Sequence, residues 1–204
     1  GFILLGLMIE KITHKSLDQN GQELIFEPLG MHDTSYHPEP NRCAPTEKRD
    51  DDVYQGILKG LVHDEKAFAL GEAGHAGLFS TAKDISIFIK AILEDNFILN
   101  KDTIDMLFKV QEELPSLNNT PLKRALGWDK PTKGSSAGDF VDFDQTILHT
   151  GFTGCNMFMD RLNGVGFVLI SNAVHPKRNM NNVIGYRNQL SNIIYRKVED
   201  KKNA

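Results

Sequence analysis

The stretch Ile147-Leu148-His149-Thr150-Gly151-Phe152-Thr153-Gly154 governs how the chain is read. Met157-Phe158-Met159 follows it, then a turn at Arg161-Leu162-Asn163-Gly164, then Val165-Gly166-Phe167-Val168-Leu169-Ile170. The spacing predicts three successive strands, the last two joined as a hairpin through Asn163-Gly164. The first strand has an unusual end, polar and rich in glycine. Gly151 and Gly154 leave it without side-chain bulk, so a ligand or another backbone can approach closely. His149 and Thr150 bring an imidazole and a hydroxyl, and the glycines bring exposed N–H groups, much of what holding a carbonyl substrate requires. The same residues also fit an ordinary edge strand with a surface histidine.

Outward from that stretch, the chain has the length of one domain with a sizeable core, at 204 residues. A net charge of -4 and the lack of a Lys/Arg cluster give no reason to expect nucleic acid as a partner. Cys43 and Cys155 are too few for a disulfide framework and lack the paired spacing of a zinc site. Residues 1–9 are apolar on every side, yet shorter than the roughly 20 residues that cross a bilayer. They are not preceded by basic residues or followed by a small-residue cleavage site, so they do not read as a signal peptide. A helix apolar all round is expected to be buried. It starts without an initiator Met and without an N-cap residue, and the chain is therefore expected to be a fragment whose upstream part is missing. Membrane attachment and localisation stay open.

A second helix is expected from Ser16, with Leu17, Leu24, Ile25 and Phe26 as its apolar content and Pro28 and Gly30 as its stop. Residues 31–60, with Pro38, Pro40, Pro45 and an Asp50-Asp51-Asp52 run, read as a long surface loop. Next come Val62-His63-Asp64-Glu65 and Ala73-Gly74-His75-Ala76-Gly77. His63, Asp64 and His75 have the right donor types for a metal, but their spacing matches no metal signature. They also fit histidines satisfying backbone carbonyls, and best fit a loop bordering a substrate cleft. Thr81-Ala82-Lys83-Asp84 resembles a capping box ahead of a helix with Ile85, Phe88, Ile89, Ile92 and Leu93 on one stripe. Residues 101–110 support another helix, with Ile104, Leu107 and Phe108 inward. Leu126-Gly127-Trp128 reads as a short strand. A last helix places Val183, Tyr186, Leu190 and Ile193 on one face, and residues 199–204 are expected to fray. Helices, three adjacent antiparallel strands and a final helix lying on the sheet make an α+β arrangement.

Three stretches together carry a resemblance. Phe26-Glu27-Pro28-Leu29-Gly30-Met31 is followed by Asp33-Thr34-Ser35. The second runs Gly74-His75-Ala76-Gly77-Leu78-Phe79-Ser80-Thr81-Ala82-Lys83-Asp84, and the third is His149-Thr150-Gly151. With them the chain resembles the serine β-lactamase and penicillin-binding-protein superfamily, on the side of the class C β-lactamases and related esterases and peptidases. Val62-His63-Asp64-Glu65 resembles one branch that includes penicillin-binding-like proteins of bacterial cell-wall metabolism. The resemblance implies a β-lactamase/transpeptidase-like fold, an antiparallel sheet flanked by helices, with residues 1–204 forming the C-terminal portion of a single domain.

In that superfamily a Ser-x-x-Lys supplies the nucleophile, a Tyr-x-Asn a partner base, and a Lys-Thr-Gly or His-Thr-Gly strand the opposite wall. Neither of the first two motifs precedes the Phe26 stretch, so the nucleophile and its partners are expected upstream of Gly1 and the 204 residues alone are expected to be inactive. The resemblance implies serine attack on an amide, ester or lactam carbonyl, an acyl-enzyme and its hydrolysis, without a cofactor. It implies catalytic roles for His149, Thr150, Gly151 and Phe152, whose backbone N–H would serve the oxyanion hole. His63, Asp64, His75 and Gly154 would contact a small-molecule or peptide substrate. The other readings are a cell-wall or peptide-binding protein that keeps the cleft without turnover, and a metal-dependent hydrolase using His63, Asp64 and His75.

Overall fold

In the computed structural model of the protein, residues 1–95, 99–114, 122–178 and 183–202 are described. They belong to two compact units, one of Gly1–Ile87 with Asn172–Asn181 and one of Phe88–Ser171 with Asn182–Ala204. The first unit begins with α1 (Phe2–Thr13), which ends where His14 turns left-handed at φ 57°. Its sequence predicts a buried helix; instead Phe2, Leu4, Leu5, Leu7, Met8 and Ile12 are exposed and Gly6 is its buried residue. The reason is backbone contact. A Cβ on Gly74 would stand 2.3 Å from the Phe2 carbonyl oxygen and 3.2 Å from Gly6 Cα. The helix thus docks at Gly6 against Gly74, and the exposed large side chains stand clear of that contact. Gly74→Ala is expected to push loop and helix apart and destabilise the unit by about 1–2 kcal/mol, the range of overpacked sites. A thermal melt unchanged from wild type would contradict this.

Ser16 caps α2 (Leu17–Gly21) in a complete capping box with Gln19. A π turn, Gln22–Phe26, leads into α3 (Glu27–Leu29). Pro28 does not stop the run as expected. It sits at the start of α3, directly after the π turn, and Gly30 at φ 75° makes the end.

The expected loop at 31–60 is more ordered than its composition suggests. It holds an antiparallel hairpin, β1 (Lys48–Asp50) with β2 (Gln55–Ile57), in the register Arg49↔Gly56. Met31, Thr34, Glu47, Arg49 and Leu58 around it are buried. The later segment of this unit returns to the hairpin. Lys48 N donates to Pro176 O at 2.9 Å, and His175 Nδ1 lies 2.7 Å from Thr46 O. Asp64 caps α4 (Glu65–Leu70), accepting from the Lys66 and Ala67 N–H groups. Thr81 caps α5 (Ala82–Leu93), accepting from Asp84 N at 3.2 Å. Only half of the expected capping box forms, because the Asp84 carboxylate accepts instead from Asp33 N and Thr34 Oγ1, both at 2.8 Å.

In the second unit, Ile89 and Ile92 of α5 are buried as the stripe predicts, and α6 (Lys101–Phe108) buries Ile104 and Phe108. A hairpin of β3 (Glu112–Leu114) and β4 (Leu122–Arg124) follows, which the sequence reading does not contain. Leu126-Gly127-Trp128 is a bend rather than a strand: Ala125 N donates to Trp128 O, and Gly127 sits at φ 78°. The three expected strands form in the expected order. They are β5 (Thr146–Thr150), β6 (Asn156–Asp160) and β7 (Val165–Leu169), antiparallel, with Leu148↔Phe158 and Phe158↔Phe167 in register.

The last helix, α7 (Val183–Lys202), lies on this sheet as expected, with Tyr195 in one core cluster with Leu148, Phe158 and Val165. Its buried face differs from the expected one. Tyr186, Leu190 and Ile193 are exposed, whereas Arg187, Ser191 and Tyr195 are buried at i, i+4 and i+8. Hydrogen bonds select that face. Ser191 Oγ donates to Ser136 O at 2.7 Å, and Tyr195 OH donates to the buried Asp160 carboxylate at 3.2 Å. Lys201 still lies within the helix; of the tail expected to fray, residues 203–204 lie outside the described residues.

Candidate functional site

The two groups of residues singled out from the sequence fall in different units. In the second unit, β5 passes from a buried to an open environment along its length. Thr146, Ile147 and Leu148 are buried, His149 is exposed and Thr150 is half-buried. On the edge away from β6, Asp129 exchanges both backbone hydrogen bonds with Leu148, each 3.0 Å. His149 lies just past that pairing. Its Nδ1 is 3.1 Å from Thr150 O, and its ring meets the edge of Trp128 at a centroid distance of 6.2 Å.

Beyond Thr150 the chain makes a tight turn. Gly151 N donates to Cys155 O at 2.8 Å, and Gly154 N donates back to Gly151 O at 3.0 Å. Gly154 is buried at φ 106°, a backbone conformation that other residues rarely adopt, so the second glycine of the stretch is required by the turn. Phe152, between the two glycines, is 67% exposed. From α7, Arg187 reaches the turn and donates from Nε to Gly154 O at 3.0 Å and from Nη2 to Gly151 O at 2.7 Å. Sequence reading missed this residue. The available signal was a cation at the helical spacing of Ser191 and Tyr195, but a hydrophobic pattern discards such a position.

The first unit holds His63, Asp64 and His75. Asp64 Oδ1 accepts from the N–H of Ala67 at 2.9 Å and lies 2.9 Å from His75 Nε2. Those N–H contacts, then His75, hold the Asp64 carboxyl below its usual range. Among the described residues His75 Nδ1 is buried without a hydrogen-bond partner. His63 turns to a different carboxylate, with Nε2 2.9 Å from Glu47 Oε2. Glu47 also accepts from Arg178, at 3.0 Å from Nε and 2.6 Å from Nη2. Arg178 first, and then His63, hold its carboxyl down to about 2. So Asp64 and His75 come together while His63 belongs to a separate acid–base cluster. No group of three or more His, Cys, Asp or Glu suited to a metal occurs among the described residues.

Two later segments match the nucleophile and base motifs by spelling alone. Ser80-Thr81-Ala82-Lys83 is one; there Ser80 Oγ lies 2.8 Å from Thr34 Oγ1, which donates to Asp84, and Lys83 is exposed. That hydroxyl belongs to the cap network of α5. Tyr186-Arg187-Asn188 is the other, inside α7. Tyr186 is exposed, Arg187 holds the 151–154 turn, and Asn188 Nδ2 donates to Ser135 O at 2.8 Å. Consecutive residues of a helix point about 100° apart, so these side chains serve three different places.

Comparison with known proteins agrees with the architecture. The β-lactamase family model matches residues 1–189. The chain is 32% identical over 206 residues to an N-acetylmuramyl-L-alanine amidase of Bacillus subtilis (strain 168), covering 89% of this chain and 46% of that protein. It is also 32% identical over 213 residues to an Escherichia coli (strain K12) protein provisionally named a D-alanyl-D-alanine carboxypeptidase, covering 88% and 46%. Among solved structures, a mutant simvastatin synthase from Aspergillus terreus superposes with a TM-score of 0.71 at 16% identity, over 97% of this chain and 54% of that one. The chain thus spans about half the length of the curated relatives it matches. Its helices and antiparallel sheets form part of a β-lactamase/transpeptidase-like fold, as the motifs implied. The chain belongs to the β-lactamase family.

Proposed function

We propose that the chain is the C-terminal portion of a serine hydrolase of the β-lactamase and penicillin-binding type. It would cleave an amide, ester or lactam bond through an acyl-enzyme, in the metabolism of cell-wall peptides. One observation carries the reading: β5 emerges from the core with His149 exposed and runs directly into the braced turn at 151–154. The span of about half of an amidase and of a carboxypeptidase-named relative supports it.

In this reading the attacking serine comes from outside the 204 residues. The end of β5 is the opposite wall of the pocket. The Phe152 N–H donates to the oxyanion as the carbonyl becomes tetrahedral, and such a donor contributes about 3–4 kcal/mol to transition-state stabilisation. Thr150 Oγ1 donates to a substrate carboxylate or carbonyl, and the exposed His149 imidazole hydrogen-bonds alongside it. Gly154 permits the turn. In the first unit His63, Asp64 and His75 are proposed substrate contacts, with Asp64 orienting His75.

The 204 residues by themselves are expected to show no esterase or lactamase turnover. The product of the complete reading frame is expected to release nitrophenol from an activated ester in a burst and to be silenced by a serine-directed phosphonate. Burst release by the isolated chain would place the nucleophile within it and sink the proposed division of the site. An intact protein that binds D-amino-acid peptides but neither turns over nor labels would point to the non-catalytic reading.

A further inference from the structure

We propose that Arg187 is a positioning residue of this acyl-transfer site. By holding the peptide that joins Gly151 to Phe152, it aims the Phe152 N–H at the oxyanion. The inference rests on the function proposed above.

Arg187 is 4% exposed, and among the described residues no carboxylate lies within ion-pair distance of it. Burial lowers its pKa, although a guanidinium stays charged throughout the physiological range. A buried cation without a counter-charge is unfavourable unless its donors are well used. An aliphatic side chain would fill the same helix position without that penalty. What the guanidinium adds is a rigid fork. Its Nε and Nη2 span Gly154 O and Gly151 O, the two carbonyls that bracket the turn, and each carbonyl has its own N–H in the fixed planar geometry of the fork.

The directional consequence follows from peptide geometry. In a trans peptide the C=O and N–H point in opposite directions. Gly151 O and the Phe152 N–H belong to one peptide unit. Fixing the carbonyl on Arg187 therefore turns the Phe152 N–H away from α7. Gly151 O also accepts from Gly154 N at 3.0 Å, so the unit is held from two sides. A charged donor on a carbonyl polarises the amide and makes its N–H a stronger donor. The helix cannot slide away from this contact easily. Asn188 Nδ2 is bonded to Ser135 O, and Ser191 Oγ to Ser136 O, on either side of the same helical turn. The device is a cation in the core whose effect appears at the backbone of an exposed residue.

The test uses the protein from the complete reading frame, labelled with ¹⁵N-phenylalanine, in wild-type, Arg187→Gln and Arg187→Lys forms. In Arg187→Gln the Phe152 amide is expected to move upfield and exchange faster, while the Phe158 and Phe167 amides of the sheet stay in place. On an activated ester, kcat is expected to fall about 10- to 100-fold with KM within about twofold, because the lost interaction belongs to the transition state. Arg187→Lys keeps the charge but not the fork and is expected to fall between. If Arg187→Gln fails to fold, Arg187→Lys carries the test. A folded variant with the Phe152 amide unmoved, or with kcat unchanged, overturns the proposal. If the wild type turns nothing over and the Phe152 amide still moves, the hydrolase reading fails and the aiming of the N–H stands.

Discussion

Replacing Phe152 by proline is expected to lower kcat by about 10²–10³-fold, whereas replacing it by alanine should leave most activity in place. The contrast separates backbone from side chain. The Phe152 side chain is 67% exposed, so truncating it opens no cavity in the sheet core. Proline removes the N–H itself, the group proposed to meet the developing oxyanion. It also restricts the residue before it, and Gly151 tolerates that restriction better than any other residue would. Steady-state kinetics of the two variants in the complete protein, with melting curves to confirm folding, decide the matter. A folded Phe152→Pro enzyme with wild-type kcat would remove Phe152 from the oxyanion site. Phe152→Ala losing as much as Phe152→Pro would mean that the ring, and not the amide, matters there.

The parts legible in the sequence are those where side-chain pattern and backbone demand coincide. Two apolar runs, residues 157–159 and 165–170, flank an Asn163-Gly164 turn, and β6 and β7 appear there with Gly164 at φ 62°. The stripe of Ile89 and Ile92 found its core for the same reason. The misreadings share a different cause, in that polar or backbone contacts chose the buried face. On α7, Leu190 and Ile193 give the apolar stripe, but Arg187, Ser191 and Tyr195 have partners in the second unit and so take the interior. On α1 the contact is glycine against glycine, which a hydropathy pattern reads as a gap. Strands of three residues, such as β1 with its sequence Lys48-Arg49-Asp50, carry no readable alternation, and their hairpin reads as loop in the sequence. For the site, the His149-Thr150-Gly151 stretch was legible because the family writes it in side chains. The clasp on its turn was not, since the Arg187 guanidinium meets backbone carbonyls that every sequence possesses. The acid–base cluster around Glu47 was hidden similarly: Arg178 is 131 positions away in the chain, and only the fold joins them.

That cluster is where the first unit is expected to be most sensitive to acid. Glu47 is 8% exposed, and its carboxyl is held at about 2 against an ordinary 4.5, chiefly by Arg178 and then by His63. A carboxylate whose folded pKa is depressed favours the folded state fully above its unfolded value. The contribution is lost as pH falls from about 4.5 toward 2. The shift corresponds to about 3 kcal/mol. Neutralising the group at pH 7 by Glu47→Gln is expected to remove a similar amount, about 3 kcal/mol, the lower end for breaking a buried pair, because Arg178 keeps partial access to water with its side chain 43% exposed. Among the described residues, the carboxylate then left within ion-pair distance of Arg178 is that of Glu65, at 3.8 Å. Urea unfolding monitored between pH 7 and pH 3 tests both statements together. Wild type should lose stability steeply below pH 4.5, while Glu47→Gln should start lower and show a flatter acid limb. Parallel pH profiles would show that Glu47 is not the group that titrates. His63 adjoins Asp64, the cap of α4 and the partner of His75, so a Glu47→Gln variant is expected to loosen that helix start before the hairpin of β1 and β2 comes apart.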